Sequence, residues 1–317
     1  MKFPIVYAVK HKDMNIRMNS RSGGIFTALS DKILSENGVV YGCILNEDFE
    51  AVHVRAETAE ERDKMRGSKY IQSSMGDTFH HVAEDLKNGR KVLFSGTSCQ
   101  IAGLKAFLGK ADTEQLLCVD IVCHGVPSTL VWKKYLAWQE QEHHGKIVSV
   151  DFRNKKDFGW AAHVETLTFK TEDGSEKKVN ADIFKRIFLE RNSMRPACYQ
   201  CPYKDIMHPA DITIADYWGI DNAVPDFNDD KGVSLVLLNH EKSIQIFEEL
   251  KENLEYRNTR IEDSMQPALK QPFSRPASRQ KFWNDFRTKP FSYIAKTYGT
   301  LSFTQKIKRK LKKYLKK

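Results

Sequence analysis

The chain has 317 residues, 41% of them apolar and 29% charged, enough for one large α/β domain or two modest ones around a substantial core. Its formal net charge is +9, but eight of those positive charges lie in residues 306–317. The other 305 residues therefore carry about +1, which gives no reason to expect a specific nucleic-acid surface. No stretch approaches the roughly 18 uninterrupted apolar residues of a membrane helix, and the start "MKFPIVYAVKHKDMN" lacks the apolar core of a secretory signal. A cytoplasmic protein is expected, and its six cysteines then suit ligand or catalytic use better than a disulfide framework.

In chain order, "PIVYAVK" reads as a strand, and "SRSGGIFTALSDKILSENG" as a Gly-rich turn feeding a helix with Phe26, Leu29, Ile33 and Leu34 on one face. "VVYGCIL" and "AVHVRA" read as a strand pair around the turn "NEDFE". There follow a helix "DTFHHVAEDLKNG", a strand "KVLFSG", a helix "CQIAGLKAFLG", a strand "LLCVDIVCHG" and a helix "STLVWKKYLAWQEQEH". This alternation predicts an α/β fold with a mixed, largely parallel buried sheet and flanking helices. From "KIVSVDFRNK" through "HVETLTFKT" and "KKVNADIF" the pattern changes to strands with short turns, an antiparallel addition. "DITIADYWG" and "GVSLVLLN" are two further strands, and "EKSIQIFEELKENL" is an amphipathic helix. Residues from about 265 are Pro-, Ser- and Gln-rich and read as a linker or wrapping segment. In the tail Phe303, Ile307, Leu311, Tyr314 and Leu315 share one helical face among lysines, a basic amphipathic helix suited to an anionic membrane surface or a partner, with a solubilising tail as the alternative. The expected organisation is an N-terminal lobe over 1–85, a second lobe over 86–265 and a linker with the basic tail over 266–317.

"RPACYQCPYK" holds Cys198 and Cys201 three positions apart, half of a metal, cluster or dithiol site. Cys99, in "VLFSGTSCQIAG", and Cys123, in "CVDIVCHGVPS", each follow a strand. If those strands are parallel, both sulfurs project from carboxyl ends, where open α/β sheets place their sites, and the Cys198–Cys201 turn is expected to close over them. Free N–H groups at a helix start and in Gly-containing turns favour thiolates there. Cys43 and Cys118 lie inside apolar strands and read as small buried hydrophobes. Four thiolates suit zinc or an iron–sulfur cluster, and the spacing leaves open both of these and the reading that the cysteines share no site. His124, beside Cys123, is a candidate proton donor or hydrogen-bond partner, with a structural histidine as the alternative.

A second set of residues points to phosphates. Arg21, Ser22, Gly23 and Gly24 stand at a helix start. Gly67, Ser68, Lys69, Tyr70 and Ser73 form a small-residue loop with one cation, and Gly96 and Thr97 lie in "FSGTS". None matches a Walker A loop or the G-x-G-x-x-G fingerprint, but several such turns in one α/β region suit a nucleotide-type cofactor.

Taken together, "SRSGGIFTALSDKIL", "GVVYGC", "RGSKYIQS", "VLFSGTSCQIAGLKAFL", "VDIVCHGVPS", "FRNKKDFGW", "RPACYQCPYK", "DITIADYWGI" and "KGVSLVLLN" resemble the coenzyme F-420 hydrogenase/dehydrogenase beta-subunit family, in order from about residue 18 to 240. The resemblance implies an iron–sulfur flavoprotein with one 4Fe-4S cluster, held by Cys99, Cys123, Cys198 and Cys201, and FAD. It implies electron transfer between a ferredoxin-like one-electron donor or partner subunit and a two-electron acceptor such as a deazaflavin. Two positions depart from the pattern: Ser98 stands where proline is usual, and Ala215 where glycine is usual. Many relatives carry an N-terminal ferredoxin segment; this chain begins at the flavoprotein part, so an external donor is implied. A rival reading is a zinc-stabilised, non-catalytic α/β module that holds a partner enzyme. The tail lies outside the resemblance; a surface role for it would put the protein at the inner face of the membrane.

Overall fold

The computed structural model describes residues 3–300. Its strands are β1 (Ile5–His11), β2 (Val39–Leu45), β3 (Ala51–Ala56), β4 (Val92–Thr97), β5 (Leu116–Ile121) and β6 (Gly145–Asp151), then β7 (Glu165–Thr171), β8 (Glu176–Ala181), β9 (Ile212–Asp216), β10 (Ser234–Leu238) and β11 (Leu254–Thr259). Two compact units share them. Among the described residues the first comprises 3–124, Phe152–His163 and Gln200–Phe273; the second comprises Gly125–Asp151, Val164–Tyr199 and 274–300.

In the first unit eight strands form one sheet in the order β11-β1-β10-β9-β5-β4-β2-β3. The run β2-β4-β5-β9 is parallel, and antiparallel pairing adds β3 at one side and β10, β1 and β11 at the other. A parallel strand buried on both faces needs a continuous apolar run, and Val39–Tyr41, Val92–Phe94 and Leu116–Val119 supply it, each residue at most 3% exposed. Alternate residues serve opposite faces. Val40, Leu93, Leu117 and Val119 pack on Ile25, Ala28, Leu29 and Ile33 of the helix Ile25–Ser35. Val39, Tyr41, Phe94 and Cys118 pack on Ile101, Leu104 and Leu108 of the helix Ser98–Leu108. The mixed α/β sheet with flanking helices expected from the alternation is thus present. Cys118 sits in this core, where burial pushes its thiol up to about 12.

The second unit carries the expected antiparallel addition, a sheet in the order β6-β7-β8. Its interior is aromatic: Trp132 meets Phe184 edge-on, and Tyr135 stacks on Phe184. Part of the stretch read as a linker is helical here, over Arg279–Thr288 and Phe291–Tyr298, because Phe282, Phe286, Ile294 and Ala295 fall at helical spacing and are buried. The basic helix expected over 303–315 lies outside the described residues.

This unit also encloses a carboxyl group. Tyr135 Oη donates to Glu165 Oε1 at 2.6 Å and accepts from Gln139 Nε2 at 3.0 Å. Burial raises the Glu165 carboxyl from 4.5 to about 8, so it is protonated at neutral pH. Because the folded value is the higher one, the group costs nothing below pH 4.5 and progressively destabilises the fold as pH rises toward 8. Glu165→Gln, which keeps the acceptor for Tyr135, should remove that slope and gain on the order of 3 kcal/mol at pH 7. Urea denaturation from pH 5 to 9 measures this; parallel stability curves for both proteins would refute it.

Candidate functional site

The parallel run places the ends of its strands level with one another. Thr97 is in register with Ile121, and Ile121 with Ile214. Cys99 and Cys123 lie two residues beyond the paired positions Thr97 and Ile121, at the carboxyl ends of adjacent strands. Cys99 is exposed in the first turn of the helix Ser98–Leu108, with Thr97 Oγ1 3.1 Å from its Sγ. Gln100 Oε1 accepts from the Thr97 backbone N–H at 2.8 Å, which fixes the turn that presents the sulfur.

Contacts within the first unit tie the three segments bearing Cys99, Cys123 and Cys201 together. The buried ammonium of Lys204, three residues after Cys201, donates to the carbonyls of Cys123 (2.8 Å) and His124 (2.9 Å). The Nδ1 of His208 lies 2.8 Å from Asp120 Oδ2 and 3.2 Å from the hydroxyl of Ser98, next to Cys99. Thr213 completes the carboxylate by donating to Asp120 Oδ1 at 2.6 Å. Ser98, the departure from the usual proline, is therefore buried and engaged with His208. His124 packs its ring 4.3 Å from that of Phe273.

Cys198 belongs to the second unit, in the 3-10 turn Pro196–Gln200, where its N–H donates to Arg195 O at 3.0 Å. The turn that follows Cys123 packs on the same segment: Ser128 N–H donates to Ser193 O, Arg195 N–H donates to Val126 O, and Pro127 bridges Met194. Gly125 has φ +121°, a backbone conformation that strains other residues, and a Cβ there would also displace the end of the Met194 side chain, 2.2 Å away at Cε. Among the described residues no group of three or more His, Cys, Asp or Glu side chains is spaced to hold a metal ion. The donor chemistry, soft thiols at strand ends and helix starts, fits an iron–sulfur cluster or zinc.

The phosphate-type turns lie along the same edge of the sheet. His11, at the end of β1, donates its backbone N–H to Gly23 O at 2.6 Å, and Gly23 N–H donates to Ser234 Oγ at 2.9 Å. A Cβ on Gly23 would come within 2.1 Å of Val9 O and 2.7 Å of Ser234 N. Glycine is needed there for the approach of two strands, and a side chain would disturb the fold before it disturbed any ligand. Gly24, at φ +97°, caps the helix Ile25–Ser35 with no side-chain hydrogen bond. At the other end of the edge, Gln100 Nε2 donates to Ser73 Oγ at 2.8 Å, joining the Gly67–Ser73 loop to the Gly96–Thr97 turn. Gly67 (φ +80°) has open space where a Cβ would be. Tyr70 sits edge-on to Phe152 and His163. Neighbouring strands stand about 4.8 Å apart, so the ends from β9 to β2 span about 14 Å.

Lys69 faces inward. Its Nζ donates to the carbonyls of Lys64, Met65 and Arg66, each at 3.0 Å, and burial lowers its pKa to about 8. Arg21 and Ser22 are turned to Asp216, at the end of β9. Ser22 Oγ donates to Asp216 Oδ1 at 2.6 Å, and Arg21 Nε lies 3.7 Å from the same oxygen. Trp160 Nε1 also donates to Oδ1 (2.8 Å), and Arg153 Nη1 to Oδ2 (2.7 Å). Trp160 and Trp218 stack on each other, with centroids 5.0 Å apart and planes 8° from parallel.

Asp216, Arg153, Lys204 and the Asp120–His208 pair belong to no spacing motif in the sequence. The available signal was a charge inside an apolar strand, Asp120 in "LLCVDIV" and Asp216 in "DITIAD", since a buried carboxylate requires partners brought from elsewhere in the chain.

No curated protein matches the chain. A chain of the F420-reducing [NiFe] hydrogenase complex from Methanosarcina barkeri, in a xenon-derivatised structure, shares the fold with a TM-score of 0.52 at 19% identity, covering 81% of this chain and 82% of that one. Residues 6–79 match the N-terminal region of the coenzyme F420 hydrogenase/dehydrogenase beta subunit, and residues 89–264 match its C-terminal region. With both regions present in order around one mixed sheet, the chain belongs to the coenzyme F420 hydrogenase/dehydrogenase beta subunit family, a family of oxidoreductase subunits.

Proposed function

We propose that the protein is an iron–sulfur flavoprotein that passes electrons between a ferredoxin-like one-electron donor, or a partner subunit, and a two-electron acceptor such as a deazaflavin. Cys99, Cys123, Cys198 and Cys201 are the proposed ligands of a 4Fe-4S cluster. The turns at Arg21–Gly24, Gly67–Ser73 and Gly96–Thr97 are the proposed FAD site. When bound, the cluster exchanges single electrons and the flavin exchanges one or two. The observation that carries the reading is the level placement of Cys99 and Cys123 on adjacent parallel strand ends, with the phosphate-type turns along that same sheet edge.

The chain's own residues have definite tasks in this reading. The Thr97 hydroxyl, 3.1 Å from the Cys99 sulfur, is placed to donate to that sulfur when it ligates a metal. Lys204 holds the Cys123–His124 backbone in place and adds a positive charge beside it. The free N–H groups at the start of the helix Ile25–Ser35 favour an anion. His124 is the proposed proton donor to the reduced acceptor. Assembly with a partner subunit is part of the proposal, since the structural neighbour is a chain of a multi-subunit hydrogenase complex. No helix among the described residues is long and apolar enough to cross a membrane, and attachment at an inner membrane surface rests on the basic tail alone.

Anaerobic purification tests the assignment. The expected protein is brown, with broad iron–sulfur absorption, resolvable flavin bands, and iron and acid-labile sulfide in equal amounts. A colourless protein containing zinc would overturn it and identify a structural module instead.

A further inference from the structure

The helix Arg279–Thr288 lies beyond residues 89–264, the last region that matches the family. Its first residue is nevertheless 7% exposed and spends its charge inside the second unit. Arg279 Nη1 donates to Asn192 O at 2.5 Å and to Tyr199 Oη at 3.0 Å. The guanidinium carbon lies 5.2 Å from the centre of the Tyr199 ring and 5.5 Å from that of Trp283. Ser278 Oγ adds a bond to Asn192 Oδ1 at 2.8 Å.

Tyr199 is the residue between Cys198 and Gln200 in the Cys-x-x-Cys turn. Its hydroxyl is saturated: it accepts from Arg279 and donates to Arg191 O at 2.5 Å. The backbone from Arg191 to Tyr199 is thereby held at both ends by one cation, through the Asn192 carbonyl and the Tyr199 phenol. Between those ends lie buried Ser193 and Met194, which carry the packing of Gly125 and Ser128, and then Cys198 itself. A buried guanidinium that satisfies two neutral oxygens is costly to desolvate. Both oxygens belong to the cysteine-bearing segment.

We propose that Arg279 is a positioning residue for the Cys198–Cys201 turn, so that a C-terminal helix outside the matched family regions sets the orientation of the Cys198 sulfur. This rests on the reading that the turn supplies ligands. A hydrogen bond from a charged donor is worth enough to suppress local opening about tenfold or more.

Site-resolved alkylation of the full-length chain, followed by peptide mass spectrometry, tests the contact without requiring any cofactor. Arg279→Ala should raise the labelling rates of Cys198 and Cys201 about tenfold while those of Cys43 and Cys99 stay within about twofold. Tyr199→Phe, which keeps the ring and loses the acceptor, should give an intermediate rise, and Arg279→Lys a partial return to the wild-type rate. In the holoprotein, iron release to a chelator should accelerate in the same order. Wild-type labelling of Cys198 in Arg279→Ala would overturn the proposal, as would equal acceleration at every cysteine, which would mean general loosening. A chain with no iron but selective Cys198 labelling would sink the cluster reading and leave the positioning contact standing.

Discussion

Serine at Cys99, Cys123, Cys198 or Cys201 is expected to lower bound iron at least about tenfold in each case, because a cluster that loses one of four thiolates loses a covalent anchor that a neutral hydroxyl does not replace. Serine at Cys43 or Cys118 should leave iron unchanged. The contrast is physical. Cys118 is a core residue of β5 whose thiol is held neutral by burial, with Asp211 reinforcing the effect. Cys43 lies within β2 but is half-buried, not the buried hydrophobe its apolar run suggests; burial still raises its thiol, although Lys69 and Ser73 oppose the shift. Cys99 is exposed at a helix start, and Cys123, Cys198 and Cys201 are half-buried in turns. Iron and sulfide determination on anaerobically purified variants gives the answer. Wild-type iron in two or more of the first four variants would end the assignment.

The second large effect is expected at Asp216. Burial alone would favour the neutral acid, yet Arg21 and Arg153, with hydrogen bonds from Ser22 and Trp160, hold its carboxyl below the usual range. Removing the carboxylate leaves two largely buried guanidinium groups without their counter-ion. Asp216→Ala should therefore cost about 3–5 kcal/mol. Asp216→Asn should cost less, since the amide keeps an acceptor. The sign of the pH dependence follows from the depressed folded value. The stabilisation is fully present above the unfolded pKa near 4 and is lost as pH falls through the folded value, so wild type should lose this contribution only in acid and Asp216→Asn should lack that acid-side loss. Urea titrations at pH 7 and in acid measure both terms. A cost below about 1 kcal/mol for Asp216→Ala would show that the network is not a structural hinge of the fold. Three of the segments that resemble the family, "SRSGG", "FRNKKDFGW" and "DITIADYWG", meet at this one carboxylate.

The strand and helix alternation, and the position of Cys99 and Cys123 just beyond strand ends, were legible in the sequence because they depend on local rules. Continuous apolar runs mark strands buried on both faces, and Gly-rich turns mark helix starts. A cysteine just after such a run stands at a strand end, whatever the rest of the chain does. Partner choice was not legible. Lys69 had the composition of a phosphate loop, but its ammonium is taken by the carbonyls of Lys64, Met65 and Arg66, which follow the short helix Ala59–Asp63. Gly23 had the look of an anion turn, but its missing side chain makes room for β1 and β10. The stretch after residue 265 reads as a linker because its prolines, serines and glutamines dominate composition, while four buried apolar residues at helical spacing are enough to dock two helices. Each compact unit is assembled from three segments far apart in the chain. Periodicity carries information over one or two turns of structure. Which buried cation meets which oxygen, as at Arg153 with the Asp216 carboxylate or Lys204 with the Cys123 carbonyl, depends on distances that exist only after folding has brought residues 63 and 81 positions apart into contact.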